Sequence, residues 1–451
     1  MAWARTLRVL HVITQSRPLG GAQHNTLALA ARMDRERFHS EIACGPGGPL
    51  IAAAAAAGVV VTVLPTLDNP VNAVADARAA LDIIRLCHRR RYDIVHTHST
   101  KAGMLGRLAA VLCGVPIVVH TIHAVPFHRF QRPALRLASL WGERLAGRWC
   151  DQLIAVGDAL ADDFARAGVR PRRGIITIRS GIDFSRFDPP AGGAVGARSM
   201  SARETATSWK SRPNAALRRR LGIAPGQPVV GAVGHLLPAK GYPYLLEAAR
   251  RLSQRFTDLR LVIVGEGPLQ AEMRERSRAL GLDQRCVFLG RRHDVPELLR
   301  AFDVFAQASL WEGIPRAVQE AMYVGLPVVA TDVNGTSEIV EHGVTGLLVP
   351  PRDPAALADA IGDLLADRDR AARMGAQGRR RMSSEFSVEC TVQRTEALYL
   401  ELAGRLGPLG VDARAAVLGP APSPEYGQGM PCPYDRGKPT EACHVRHLRH
   451  L

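Results

Sequence analysis

Ser309-Leu-Trp-Glu-Gly-Ile-Pro-Arg-Ala-Val-Gln-Glu-Ala-Met-Tyr-Val-Gly-Leu-Pro-Val-Val-Ala-Thr331 is the stretch from which the fold can be read. Gly313 leaves the backbone uncrowded, and Pro315 suits the first turn of a helix. Arg316 to Val324 is a run of good helix formers, and Gly325 fits a left-handed stop. Pro327 to Ala330 is a short apolar run of the buried-strand type. Glu312 therefore falls on a loop at a helix N-terminus, and Glu320 one to two turns inside that helix. Free amides and the positive end of the helix dipole point to the place of Glu312. A diphosphate can bind there, and carboxylates accept hydrogen bonds from sugar or ribose hydroxyls. A plainer alternative is that Glu312 offsets the dipole and Glu320 is a solvated helix residue.

Working outward, apolar runs alternate with helical patterns. Strands are expected at Leu7 to Ile13, Glu41 to Cys44, Val59 to Leu64, Asp93 to Thr97, Pro116 to Ile122, Gln152 to Val156 and Ile175 to Ile178. A second set follows at Pro228 to Val233, Leu259 to Val264, Val287 to Leu289, Val304 to Ala306, Val328 to Ala330 and Leu347 to Val349. Alternation of this kind predicts parallel sheets covered on both faces. The expected division is an N-terminal domain over 1–183, a Gly/Ala/Ser/Pro-rich linker or insertion over 184–214, and a second domain over 215–386. A terminal helix over 387–403 and a disordered tail over 404–451 complete it.

The chain has 451 residues, 47% apolar and 22% charged, ordinary for a globular protein able to bury two cores. Aromatic residues are only 5%, which disfavours stacking on single-stranded nucleic acid. A net charge of +16 attracts acidic partners such as nucleic acid, anionic lipid or nucleotide phosphates, although an Arg-rich composition explains it equally well. The eight cysteines form no Cys-x-x-Cys pair and read as reduced core residues of a cytoplasmic chain. The apolar run Val9 to Ile13 is too short for a signal peptide, and Ile42 to Leu67 is broken by Gly and Pro, so no membrane span is expected.

In parallel sheets, ligands bind beyond the carboxyl ends of the strands. Gly20-Gly21 follows the first strand and opens a helix, where bare backbone can approach a ligand or simply turn. His96 and His98 follow the fourth strand, and His120, His123 and His128 the fifth. They can be hydrogen-bonded structural residues or, less readily without nearby acids, a metal site. Phe127 to Trp149 combines Arg129, Arg132, Arg136, Arg144 and Arg148 with leucines and two Trp. It fits either an anionic membrane surface or a core-facing helix with an Arg-rich outer face. Lys240 stands between a strand and a helix, in Gly234-His-Leu-Leu-Pro-Ala-Lys-Gly241, and can place an ammonium on a phosphate or lie in solvent. The order is not that of a P-loop. Gly265-Glu-Gly-Pro268 lacks the third glycine of a dinucleotide fingerprint.

Glu, seven residues, Glu, then Ala-Met and Gly-x-Pro-Val-Val-Ala-Thr resembles the signature of retaining glycosyltransferases of the GT-B fold, glycosyltransferase family 4 (group 1). The resemblance runs from about Leu7 to Leu402, excluding the insertion. It implies an α/β GT-B architecture, two Rossmann-like doubly wound domains facing across a cleft. It further implies transfer of a sugar from a UDP- or GDP-linked donor, with retention and without a metal or other cofactor. By the same resemblance, Lys240, His235, Gly20, Gly21, Gly313 and Ile314 serve the donor phosphates. Glu312 holds the transferred sugar, Glu320 the ribose, and His123 contacts donor sugar or acceptor. The family usually has Arg where His235 stands and Asn where Ser180 stands. The acceptor implied is a glycan or lipid-linked molecule of surface polysaccharide or lipopolysaccharide synthesis, in the cytoplasm or peripherally on its membrane. A sugar-nucleotide epimerase on the same fold is the enzymatic alternative, and a basic nucleic-acid-binding protein the non-enzymatic one.

Overall fold

The computed structural model describes residues 5–15, 20–68, 71–127, 133–187, 215–333, 335–416 and 445–447. His128, Arg129, Arg132, the insertion over 189–214 and the tail cysteines lie outside them. The chain forms two compact units. One comprises Met1–Val156, Ala161–Ile178 and Thr391–Leu451, the other Gly157–Leu160 and Arg179–Cys390.

The first unit is built on β1 (Leu7–Ile13), β2 (Phe38–Cys44), β3 (Val60–Val63), β4 (Ile94–His98), β5 (Ile117–Ile122), β6 (Gln152–Ala155) and β7 (Ile175–Thr177). Their order is β3-β2-β1-β4-β5-β6-β7, all parallel, with the short strand Val445–His447 added beside β3. The second unit holds β8 (Val229–Val233), β9 (Arg260–Val264), β10 (Cys286–Gly290), β11 (Val304–Gln307), β12 (Val328–Thr331) and β13 (Gly346–Val349), again all parallel. Its order is β10-β9-β8-β11-β12-β13.

Side chains alternate across each sheet, and both faces are buried. In the second unit Val230, Leu261, Ile263, Val304 and Val329 join one core, while Val229, Val262, Phe305 and Val328 join the other. Such double burial explains why these strands are near-continuous apolar runs. In both sheets the strand order reverses next to the first strand, between β1 and β4 and between β8 and β11. Such a reversal is the switch point, beyond whose carboxyl strand ends ligands bind sheets of this kind.

Three details depart from the expectations. Pro315 caps the helix Arg316–Tyr323 from outside, with an extended ψ of 101°, instead of sitting in its first turn. The terminal helix spans Val388–Ala416, past Ala403, and is anchored where Tyr399, Leu402 and Ala403 bury against the first sheet. The helix Pro133–Gly147 turns inward its one acid, Glu143, and leaves Leu135, Leu137, Trp141 and Leu145 exposed. Its outer face is therefore apolar as well as basic, because buried Arg107 claims Glu143 at 2.9 Å.

Candidate active site

The Lys240 loop leaves β8 and the Glu312 loop leaves β11, the two strands flanking the switch point of the second sheet. Strand pairing thus brings together residues far apart in sequence. The loops are tied by Leu310 N–H donating to Ala239 O at 2.7 Å. Gly241 turns with φ +61°, and a Cβ there would stand 1.9 Å from Ala308 O, so only glycine fits this crossing. Lys240 Nζ consequently donates to both carboxylate oxygens of Glu312, at 2.6 and 2.8 Å. Ser309 Oγ donates to Glu312 Oε1 at 2.6 Å, and Gln307 Nε2 donates to the same oxygen. Glu312 is only 7% exposed, so it is a buried carboxylate neutralised by a lysine, not a solvated acid offsetting a dipole.

Glu320 is likewise buried, one turn into its helix, and accepts from Arg316 Nε at 2.9 Å. Gly313 and Ile314 lie half-buried between Glu312 and that helix, on its amide-rich end. Gly335 packs directly on Gly313, whose carbonyl oxygen would be 1.5 Å from an added Cβ. Tyr242 donates to Gly234 O at 3.0 Å, and burial first, then Glu312, push its phenol pKa upward. His235 is exposed beside Glu266 O, at 3.2 Å. Gln307 and the Ser309 hydroxyl are the contributions that motif reasoning missed. A Gln at the end of an apolar strand, five residues before the acid, was the available signal.

In the first unit Gly20 caps the helix Gly21–Arg32, and its N–H donates to Gln23 Oε1 at 3.1 Å. His96 and His98 lie within β4 and His120 within β5, not on the loops that follow them, and the histidines divide by strand parity. His11, His96 and Thr121 point to the face covered by the terminal helix, and Thr97 and His120 to the other. His96 lies between Tyr399 OH at 2.5 Å and Thr121 Oγ1 at 2.7 Å, while Thr97 Oγ1 meets His120 Nδ1 at 2.8 Å. A chain of imidazoles runs from His11 Nδ1 to His98 Nε2, and from His98 Nδ1 to His123 Nε2, each at 3.3 Å. His11 is the member sequence reasoning missed, since it stands alone in the apolar first strand.

Burial lowers His11 to about 3 and His123 to about 4. Burial first, then the crowding of neighbouring imidazoles that disfavours protons on several rings at once, also lowers His96 and His98; burial first, then the Arg107 guanidinium, lowers His120. All five are neutral at physiological pH. Among the described residues, His11, His96 and His98 are the group whose ring nitrogens, within 4.8 Å of one another, could take a metal ion. Both nitrogens of His96 are already hydrogen-bonded, however, so coordination there has to break one of those bonds.

Residues 214–381 match the family model for glycosyl transferases group 1, and residues 20–177 that for the glycosyl transferase 4-like domain. The α-maltose-1-phosphate synthase of Mycolicibacterium smegmatis is 30% identical over 355 residues, 74% of this chain and 85% of that protein. The chain belongs to the group 1 glycosyltransferases. This glycosyltransferase is also 29% identical over 400 residues to the Escherichia coli UDP-Gal:α-D-GlcNAc-diphosphoundecaprenol α-1,3-galactosyltransferase, covering 88% of this chain and 97% of that one. Among solved structures, Anabaena Alr3699/HepE in complex with UDP superposes with a TM-score of 0.71 at 23% identity, over 88% of this chain and 100% of that one. With two parallel-sheet α/β domains and this likeness, the glycosyltransferase has the GT-B fold.

Proposed function

We propose that this glycosyltransferase moves a sugar from a UDP- or GDP-linked donor to a glycan or lipid-linked acceptor, with retained anomeric configuration and no resident metal or cofactor. The observation that carries the reading is the ion pair between half-buried Lys240 and buried Glu312 at the switch point of the second sheet. Transfer builds negative charge on the leaving diphosphate. Lys240 and the amides near Gly313 and Ile314 supply oriented positive charge for it, which is electrostatic catalysis of the oxyanion-hole kind. Glu312 then holds the sugar and Glu320 the ribose hydroxyls, while Gly20, Gly21 and His235 serve the donor phosphates. His123, kept neutral, is assigned to the donor sugar or acceptor. The Escherichia coli relative's lipid-diphosphate acceptor supports a lipid-linked acceptor here, and hence surface polysaccharide or lipopolysaccharide synthesis at the cytoplasmic side of a membrane.

Peripheral contact with an anionic membrane fits the helix Pro133–Gly147. Leu135, Leu137, Trp141 and Leu145 are each about half exposed or more, with Arg136 exposed on the same helix and Arg148 just after it. Among the described residues no helix is long and apolar enough to cross a membrane.

The test is incubation with UDP- and GDP-sugars and a diphosphopolyprenol-linked sugar, followed by NMR of the product's anomeric centre. Transfer with retention is expected. An inverted product, or epimerisation of the donor without acceptor, would overturn the reading. Flotation with vesicles containing anionic lipid tests the membrane contact. Trp141→Asp is expected to abolish flotation without altering nucleotide binding.

A further inference from the structure

The two oxygens of Glu312 are not equivalent. Oε1 accepts from Lys240 Nζ at 2.6 Å, from Ser309 Oγ at 2.6 Å and from Gln307 Nε2. Among the described residues, Oε2 accepts from Lys240 alone, at 2.8 Å. If Lys240 moves to a donor diphosphate, Oε1 keeps two neutral donors, whereas Oε2 loses the partner it has. We propose that Gln307, with Ser309, is a positioning device that fixes Glu312 so that Oε2 alone is presented to the donor sugar. The inference rests on the nucleotide-sugar reading above.

The orientation of Gln307 is chemically fixed. Its Nε2 faces a carboxylate and also donates to Ser309 Oγ at 3.0 Å, positions that an amide oxygen facing Glu312 could not favour. Ser309 is itself held through its carbonyl, which accepts from Thr331 Oγ1 at 2.5 Å. Gln307 ends β11 and is only 8% exposed, yet its own Oε1 finds no partner among the described residues. Leaving a buried carbonyl unpaired is costly, and an apolar side chain of similar length would fill the space without that cost. Packing alone therefore does not account for a glutamine here; its donor on Glu312 does. Three donors gathered on one oxygen from β11, its loop and the β8 loop set the plane of the carboxylate. Setting that plane directs the second oxygen towards a sugar hydroxyl.

Calorimetric titration with UDP against UDP-galactose and UDP-glucose, and with GDP against GDP-mannose, tests the assignment. In the wild type one nucleotide-sugar is expected to bind about tenfold more tightly than its nucleotide, the increment of one good interaction. Gln307→Met is expected to bring that ratio close to one, with nucleotide affinity unchanged within about twofold and the melting temperature not lowered. Lys240→Ala, by contrast, is expected to weaken nucleotide and nucleotide-sugar alike. A ratio preserved in Gln307→Met overturns the inference, as does a wild-type ratio of one. A variant that loses nucleotide affinity and melting temperature together makes Gln307 merely structural and also overturns it. A wild type that binds none of the nucleotides removes the donor reading itself, and this inference with it.

Discussion

Acidification from about pH 7.5 to about pH 5.5 is expected to loosen the first unit through its buried imidazoles. An unfolded histidine titrates near 6.5, whereas burial holds His11 at about 3 and His123 at about 4. Below pH 6.5 the unfolded chain takes up protons that the native one refuses. The stability these groups permit is thus present above that value and is lost as the pH falls towards their folded values. At about one unit below 6.5, each group costs roughly 1 to 2 kcal/mol, so His11 and His123 together cost roughly 3 kcal/mol. His96, His98 and His120 are lowered too and act with the same sign. Against a typical total of roughly 5–15 kcal/mol, the loss is large. Hydrogen exchange of β1 and β4 peptides, read by mass spectrometry across the pH series, localises the opening to this unit. His11→Leu is the control: whatever its absolute stability, its pH dependence is expected to be shallower by about one group's share. Exchange rates of β1 and β4 that, after correction for intrinsic chemistry, do not change with pH would refute the reasoning. The functional counterpart is a neutral His123, so transfer is expected to show no titration near pH 6.5 attributable to that ring.

Lys240→Ala is expected to weaken nucleotide binding by roughly tenfold to a hundredfold, the worth of a charge-assisted hydrogen bond; unchanged affinity by calorimetry would remove Lys240 from the site. Gly335→Ala has no room beside the Gly313 carbonyl, so it is expected to lower the melting temperature and nucleotide affinity together. Glu143→Gln strands the fully buried Arg107 guanidinium, whose Nη1 already lacks a partner among the described residues, and is expected to cost roughly 3–5 kcal/mol in urea unfolding. Replacing both partners, Arg107→Met with Glu143→Leu, is expected to recover most of that loss.

Much of the site was legible because its parts are local. Gly313, Pro315 and Gly325 punctuate one loop and one helix, so the placement of Glu312 before that helix and of Glu320 within it follows from spacing, whereas their burial does not. Lys240 was legible in the same way, as a cation between a strand and a helix. The metal question could not be decided from His96, Thr97, His98, His120 and His123 in sequence. Adjacent residues of a buried strand go to opposite faces, and the partners waiting there, His11 and Tyr399, are remote in the chain. Sequence left the helix Pro133–Gly147 open between a membrane surface and a core-facing helix with an Arg-rich outer face, because composition does not say which residue a distant buried arginine will claim.

By itself the sequence determined the repeating strand–loop–helix units, both sheets and the family. Those depend on short-range periodicity and turn chemistry, which neighbouring residues encode. Only the tertiary structure decided that Lys240 grips both oxygens of Glu312, that Gln307 joins them, and that His11, His96 and His98 share one sheet face with Tyr399 and lead on to His123. Strand order sets those meetings, and the order is chosen by packing whole sheet faces against helices, a sum over many residues that no single stretch of chain contains.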